Sequence, residues 1–227
     1  ITSRLRSKGF DTTLIEKHGD LGGRARTFLH NNYKYDAGPT VITAPYLIDE
    51  LFSIHSEKLS DYVNLLPVKP WYRFLFENGE YLDYGDKLST TVKEIKLKYG
   101  YENASSYLKL VKHSKRIFNK AFIELSDEPF ESLGSMVKHL PELIRIRFDR
   151  SVYQAVDKYI GNKNLNQALS MHPLLVGGNP YSTTSIYLLI QYLEWKWGVF
   201  YAEGGTGKIV DGLEKLLLNK DVEIKKN

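Results

Sequence analysis

The sequence predicts an α/β fold whose two α/β portions are separated by a long, mostly helical insertion. Three observations carry that expectation. Residues 10–16, FDTTLIE, read as a strand ending in an acid, and a glycine pair with arginines follows at Leu21-Gly22-Gly23-Arg24-Ala25-Arg26. A middle stretch of about a hundred residues has apolar groups at helical spacing. From Gly198 the pattern returns to strand (Val199–Tyr201), glycine loop (Gly204–Gly207), helix (Lys208–Leu217) and strand (Val222–Lys226).

The first segment is the most informative. Residues 1–8, ITSRLRSK, read as the end of a helix, with Gly9 where a helix-terminating glycine is expected. The strand after it ends in Glu16, whose carboxylate suits a pair of ribose hydroxyls. Gly22 and Gly23 let the backbone approach a cofactor, and Arg24 supplies charge and forked donors to a pyrophosphate. That set describes a Rossmann-like site for a dinucleotide such as FAD, with a surface turn as the plain alternative. A Gly-x-Gly-x-x-Gly partner belongs about 20 residues before the acid, which places it upstream of Ile1. Residues 222–226 read as a strand interrupted as it leaves its domain. The sequence therefore reads as a fragment of a longer protein.

Composition excludes several classes. There is no cysteine, hence no disulfide, thiolate metal site or cysteine nucleophile. No run of about 18 apolar residues is present, so no spanning helix is expected. The net charge of +4 is too mild to argue for nucleic acid. Sixteen tyrosines, ten phenylalanines and three tryptophans suit an apolar pocket or a membrane interface, though most such rings form ordinary core.

Further along, Tyr33-Lys34-Tyr35-Asp36 runs into Ala37-Gly38-Pro39-Thr40 in a strand-and-turn region covering residues 10–50. Residues 72–84 predict a hairpin, Tyr72–Glu77 and Glu80–Tyr84 about an Asn78-Gly79 turn. A helix is expected over 104–125, followed by helices near 131–147, 150–160 and 163–171. Ser182-Thr183-Thr184-Ser185 offers caps for a helix over Ile186–Trp195. Lys109, Lys112, Lys115, Arg116 and Lys120 make a basic face without an acid among them. A solvated face is the plain reading; contact with anionic lipid, helped by Arg145, Arg147 and Arg150, is the other. Gly204-Gly205-Thr206-Gly207 before a helix suggests a phosphate cradle, but the order of a nucleoside triphosphate loop is missing, so it is taken as a structural turn. The histidines His55, His113, His139 and His172 are scattered and identify no general base.

Taken together, these segments resemble the bacterial and fungal type of phytoene desaturase, within the flavin amine-oxidase superfamily. The resemblance rests on Gly22-Gly23-Arg24-Ala25, on Tyr35–Thr43, on Leu174–Pro180, and on Thr184–Tyr187. Leu193-Glu194, Trp197-Gly198-Val199 and Tyr201–Gly207 complete it. The block from His172 to Gly207 is the more specific part.

The resemblance implies an FAD/NAD(P)-binding Rossmann-like domain with a mostly helical substrate- and membrane-binding insertion. On it, residues 1–70 and 198–227 belong to the FAD-binding domain and 71–197 to the insertion. Glu16, Gly22, Gly23 and Arg24 would hold FAD, and Gly38, Pro39 and Thr40 would pass near the isoalloxazine; for that last turn a purely structural role is an equal reading. No catalytic residue is named and no metal is expected. The implied activity is oxidation of phytoene toward neurosporene or lycopene by hydride transfer to flavin, with quinone or oxygen as final acceptor. A C40 hydrocarbon stays in the bilayer, because each CH2 in water costs about 0.8 kcal/mol. The enzyme is accordingly expected at the cytoplasmic face of the membrane as a peripheral protein, compatible with oligomer formation and with no nucleic-acid partner. A related carotenoid desaturase, ketolase or isomerase, and a non-catalytic prenyl-binding protein of the same fold, are the rivals; a nicotinamide dehydrogenase is a weaker one.

Overall fold

The computed structural model describes residues 1–124, 141 and 148–227. The chain divides into two compact units, one formed by Ile1–Val68 and Trp197–Asn227, the other by Lys69–Lys196.

In the first unit, helix α1 (Thr2–Ser7) ends at Gly9, whose φ of +85° lets the chain reverse. Strand β1 (Thr13–Glu16) pairs in parallel with β8 (Glu223–Lys226), with Thr13 opposite Glu223 and Glu16 opposite Lys226. The strand is shorter than the sequence pattern because the Phe10 amide is taken by the Leu5 carbonyl and β8 offers no partner before Glu223. Strands β2 (Thr27–His30) and β3 (Tyr33–Asp36) form a hairpin, pairing Thr27 with Asp36.

Helix α2 (Pro45–Ser53) occupies part of the region expected to be strand and turn. Its signal was present: proline at the first helical turn, then Ile48, Leu51 and Phe52 at helical spacing. Strand β4 (Leu65–Pro67) pairs antiparallel with β7 (Phe200–Ala202), and Ile42 bridges to Phe200. Helix α7 (Gly207–Asn219) covers these elements. The core joins Ile42, Phe52, Leu59, Val63, Ala202 and Leu216. Gly212 allows α7 its close approach, since a β-carbon there would sit 2.8 Å from the Val63 side chain.

The second unit begins with the hairpin β5 (Tyr72–Leu75) and β6 (Tyr81–Tyr84). Its loop is Glu77-Asn78-Gly79 rather than the two-residue Asn-Gly turn, closed by Gly79 N–H donating to the Phe76 carbonyl at 2.9 Å. Helix α3 (Leu88–Ile117) starts well before residue 104 and kinks at Gly100, where φ is +87° and ψ 168°. The kink shifts the apolar phase, which hid the first half from a periodicity argument. Beyond it Ala104, Tyr107, Leu110, Val111, Ser114 and Ile117 face inward, and a π-helical stretch continues over Phe118–Glu124.

The helix expected over 131–147 lies, apart from residue 141, outside the described residues, as do Leu125, His139, Arg145 and Arg147. Helix α4 (Val152–Asp157) opens with a capping box: Ser151 Oγ accepts the Gln154 amide at 3.2 Å and the Gln154 side chain accepts the Ser151 amide at 3.0 Å. Asn162 caps α5 (Lys163–Leu169) by accepting from the Leu165 amide. Thr184 caps a 3-10 turn over Ser185–Leu188, which runs into α6 (Leu189–Trp197). Among the described residues no helix is long and apolar enough to cross a membrane.

Candidate functional site

Where β1 ends, the first unit carries a cleft of about 390 Å³ lined by Glu16, Gly22, Gly23, Ala25 and, from α7, Ile209 and Val210. Three of the residues expected from sequence to hold a cofactor thus share one cavity wall. Glu16 Oε1 accepts the His18 amide at 3.0 Å, which fixes the carboxylate at the strand end. Gly22 has φ of +110°, a region that side-chain-bearing residues avoid, and a β-carbon there would come within 3.0 Å of Val210 Cγ2. Glycine is therefore required twice over, by torsion and by space. The next residues form a short 3-10 turn closed by the Ala25 amide on the Gly22 carbonyl at 2.8 Å, and Arg24 stands exposed on it.

A second knot gathers three sequence segments around one carboxylate. Both oxygens of Asp36 accept the Thr206 amide at 3.1 Å, and Thr27 Oγ1 donates to Oδ1 at 3.1 Å. Thr206 Oγ1 donates to the Pro39 carbonyl at 2.7 Å, and the Ala37 amide to the Arg26 carbonyl at 2.9 Å. Gly38 lies against the Arg24 carbonyl so closely that a β-carbon would collide with it. The segments 22–26, 36–40 and 204–207 are brought together in this way, while Gly38, Pro39 and Thr40 keep their outer surface exposed.

This arrangement disposes of the phosphate-cradle reading of Gly204–Gly207. The N-terminus of α7, where a bound anion would be favoured, is already capped by the Asp36 carboxylate. A phosphate there would meet a like charge. The loop is a structural turn, and its cap comes from a residue 170 positions earlier.

In the second unit the structure shows a polar network that the sequence motifs did not reveal. Glu194 is fully buried on α6; its Oε1 accepts the Tyr72 hydroxyl at 2.7 Å, and its Oε2 lies 3.1 Å from Nε2 of His172, itself 1% exposed. Trp195 Nε1 donates to the Tyr107 hydroxyl at 3.0 Å, and Tyr107 donates to Tyr84 at 3.4 Å. Ser114 donates to Gln191 at 2.8 Å. Burial first, and the Glu194 charge next, push the Tyr72 phenol far above its usual range. Tyr84 and Tyr107 are raised as well, again chiefly by burial. All three therefore keep their phenol protons at neutral pH. His172 and Glu194 stand 22 residues apart in sequence; the only local hint was an acid on the inward side of an apolar helix.

Of the basic face, Lys109, Lys112, Lys115 and Arg116 are exposed on α3 and Lys120 is half-buried. His113 on the same helix packs against Tyr159 with ring centroids 5.8 Å apart. Among the described residues no group of three or more His, Asp or Glu side chains is placed to hold a metal ion.

Comparison with known proteins follows the same line. The chain is 40% identical over 224 residues to a lycopene-forming phytoene desaturase of Pseudescherichia vulneris, covering 99% of this chain and 45% of that protein. It is 38% identical to a lycopene-forming phytoene desaturase of Pantoea ananas, covering 97% of this chain and 45% of the relative. A neurosporene-forming phytoene desaturase of Rhodobacter capsulatus is 32% identical, covering 99% and 43% respectively. The chain thus spans about half the length of the curated relatives it matches. Among solved structures, an oxidoreductase from Methanosarcina mazei superposes with a TM-score of 0.58 at 14% identity, covering 99% of this chain and 47% of that one. Putrescine oxidase bound to putrescine superposes with a TM-score of 0.56 at 11% identity, covering 100% and 48%. These structures share the α/β fold. The match to the flavin containing amine oxidoreductases runs over residues 1–227, and the chain belongs to that family.

Proposed function

We propose that the protein carrying this chain is an FAD-dependent desaturase of phytoene, working toward lycopene or neurosporene. The observation that carries this reading is the similarity to phytoene desaturases along nearly the whole chain, at 40% identity in one case. FAD fits the residues present. The cleft offers the Glu16 carboxylate for the ribose and Gly22, where a side chain would press on Val210, with Gly23 next to it; the exposed Arg24 follows in sequence for a phosphate. When bound, FAD supplies the two-electron acceptor for the hydride of an allylic carbon, while the neighbouring carbon loses a proton and the double bond forms. This chain's share is binding, orientation and exclusion of water. Quinone or oxygen is the final acceptor in this reading.

The unit comprising residues 69–196, which overlaps the region 71–197 expected from sequence to be an insertion, is assigned to substrate and membrane. Its exposed Lys109, Lys112, Lys115 and Arg116 suit anionic head groups. The substrate has no polar group and must be collected from the bilayer, and this reading places the protein peripherally on the cytoplasmic side, as a monomer or an oligomer.

The test is expression of the full gene product carrying this chain in a host that accumulates phytoene, with pigments resolved by absorbance. A coloured conjugated product supports the assignment and counts the steps. Unchanged phytoene with FAD bound moves the reading to a related carotenoid substrate. Unchanged phytoene with no flavin bound removes the enzyme reading in favour of a prenyl-binding protein.

A further inference from the structure

We propose that Asp36 is a positioning residue for the cofactor site, holding the three glycine-bearing segments of the first unit in one fixed arrangement. The inference rests on the FAD reading above and goes beyond it, because Asp36 is not among the residues that line the cleft.

Two of the segments are tied to this carboxylate directly or through one further bond, and the third through the main chain beside it. The loop 204–207 is held by the Thr206 amide, which donates to both Asp36 oxygens at 3.1 Å. Strand β2 is held by Thr27 Oγ1 at 3.1 Å. The 38–40 turn is held through Thr206, whose hydroxyl donates to the Pro39 carbonyl at 2.7 Å. The 22–26 segment joins through the Ala37 amide, which donates to the Arg26 carbonyl at 2.9 Å.

The packing leaves no slack for an alternative. A β-carbon on Gly205 would lie 2.9 Å from Asp36 Oδ1, one on Gly207 would collide with Thr27 Oγ1, and one on Gly38 with the Arg24 carbonyl. Gly205 and Gly207 leave the room that the carboxylate and Thr27 occupy, and Gly38 the room for the Arg24 carbonyl. Charge also matters. Asp36 caps the 13-residue helix α7 from outside, where a carboxylate is favoured over an amide by the helix dipole. Val210 of that helix forms part of the cleft wall beside Gly22. Any drift of the α7 start is therefore felt where Glu16, Gly22 and Gly23 meet the cofactor.

The test uses the full gene product carrying this chain and its Asp36→Ala, Asp36→Asn and Asp36→Glu variants. FAD affinity is read from flavin fluorescence, and local order from amide hydrogen exchange over residues 204–210. The expected result is FAD binding weakened by about tenfold or more in Asp36→Ala, since charge-assisted bonds are lost at a site that must stay preorganised. Faster exchange at Thr206 accompanies it. Asp36→Asn keeps one acceptor and recovers part of the affinity; Asp36→Glu, too long for the space beside Gly205, does not. Should Asp36→Ala misfold, the Asn and Glu variants still order themselves against one another. Unchanged FAD affinity in Asp36→Ala together with faster Thr206 exchange would overturn the positioning role while leaving the FAD reading intact. A wild-type protein that binds no FAD overturns both.

Discussion

Tyr72→Phe isolates one bond in the buried network of the second unit. The phenol donates at 2.7 Å to a carboxylate oxygen of Glu194, which has no exposure to solvent. Removing the hydroxyl keeps the ring and takes away one of the two donors shared by that side chain. Hydrogen bonds to charged groups contribute about 1.5–3 kcal/mol, and a buried acceptor left without its donor costs a similar amount. A loss of about 2 kcal/mol is expected, or roughly 4–8 °C in the melting temperature of a chain this long. Urea unfolding of the full chain followed by tryptophan emission measures it, because Trp71 and Trp195 lie in the same cluster with ring centroids 4.4 Å apart. The decisive control is a double-mutant cycle. In a Glu194→Gln background the acceptor charge is gone, and Tyr72→Phe should then cost less than about 1 kcal/mol. Equal losses in both backgrounds, or a single-mutant loss under about 0.5 kcal/mol, would refute the account of Glu194 as the centre of the network.

Further outcomes follow from the same geometry. Gly22→Ala places a β-carbon at a φ of +110° within 3.0 Å of Val210; it should cost about 1–3 kcal/mol and weaken FAD binding more than it lowers the melting temperature, as titration and calorimetry will tell. Phe52→Ala empties a fully buried site in the first core and should cost about 3–5 kcal/mol, with little effect if the core recloses. Alkali should destabilise the protein from the ordinary tyrosine value of 10.0 upward. The unfolded chain loses its phenol protons there while Tyr72, Tyr84 and Tyr107, raised by burial, keep theirs, so stability falls with rising pH; Tyr72→Phe should flatten that slope in pH-dependent urea titrations. On the acid side, burial first and then Arg116 and Lys158 lower the pKa of His113 below 6.5. The unfolded chain binds that proton more readily, so stability is present above 6.5 and lost as pH falls; His113→Gln should remove part of the acid loss in the same titrations.

The sequence by itself determined the local alphabet of this protein. A strand ending at Glu16, the glycine pair after it, the hairpin of residues 72–84 and the helix after Gly204–Gly207 are each written in short-range chemistry. Torsional freedom at glycine, alternating apolar residues and side-chain caps act over a few positions, so they can be read one window at a time. Periodicity failed where the chain breaks its own phase, as at Gly100 within α3; at α2 the helical spacing and leading proline were present but stood in a stretch that reads otherwise as strand and turn. Only the tertiary structure decided which distant groups meet. Asp36 bonds the Thr206 amide, 170 residues later, at the start of a helix, and Glu194, bonded to His172, reaches Tyr72, 122 positions earlier. Such bonds have no period and no neighbouring residue to announce them. They form because folding buries polar atoms that must find partners, and the fold alone chooses which.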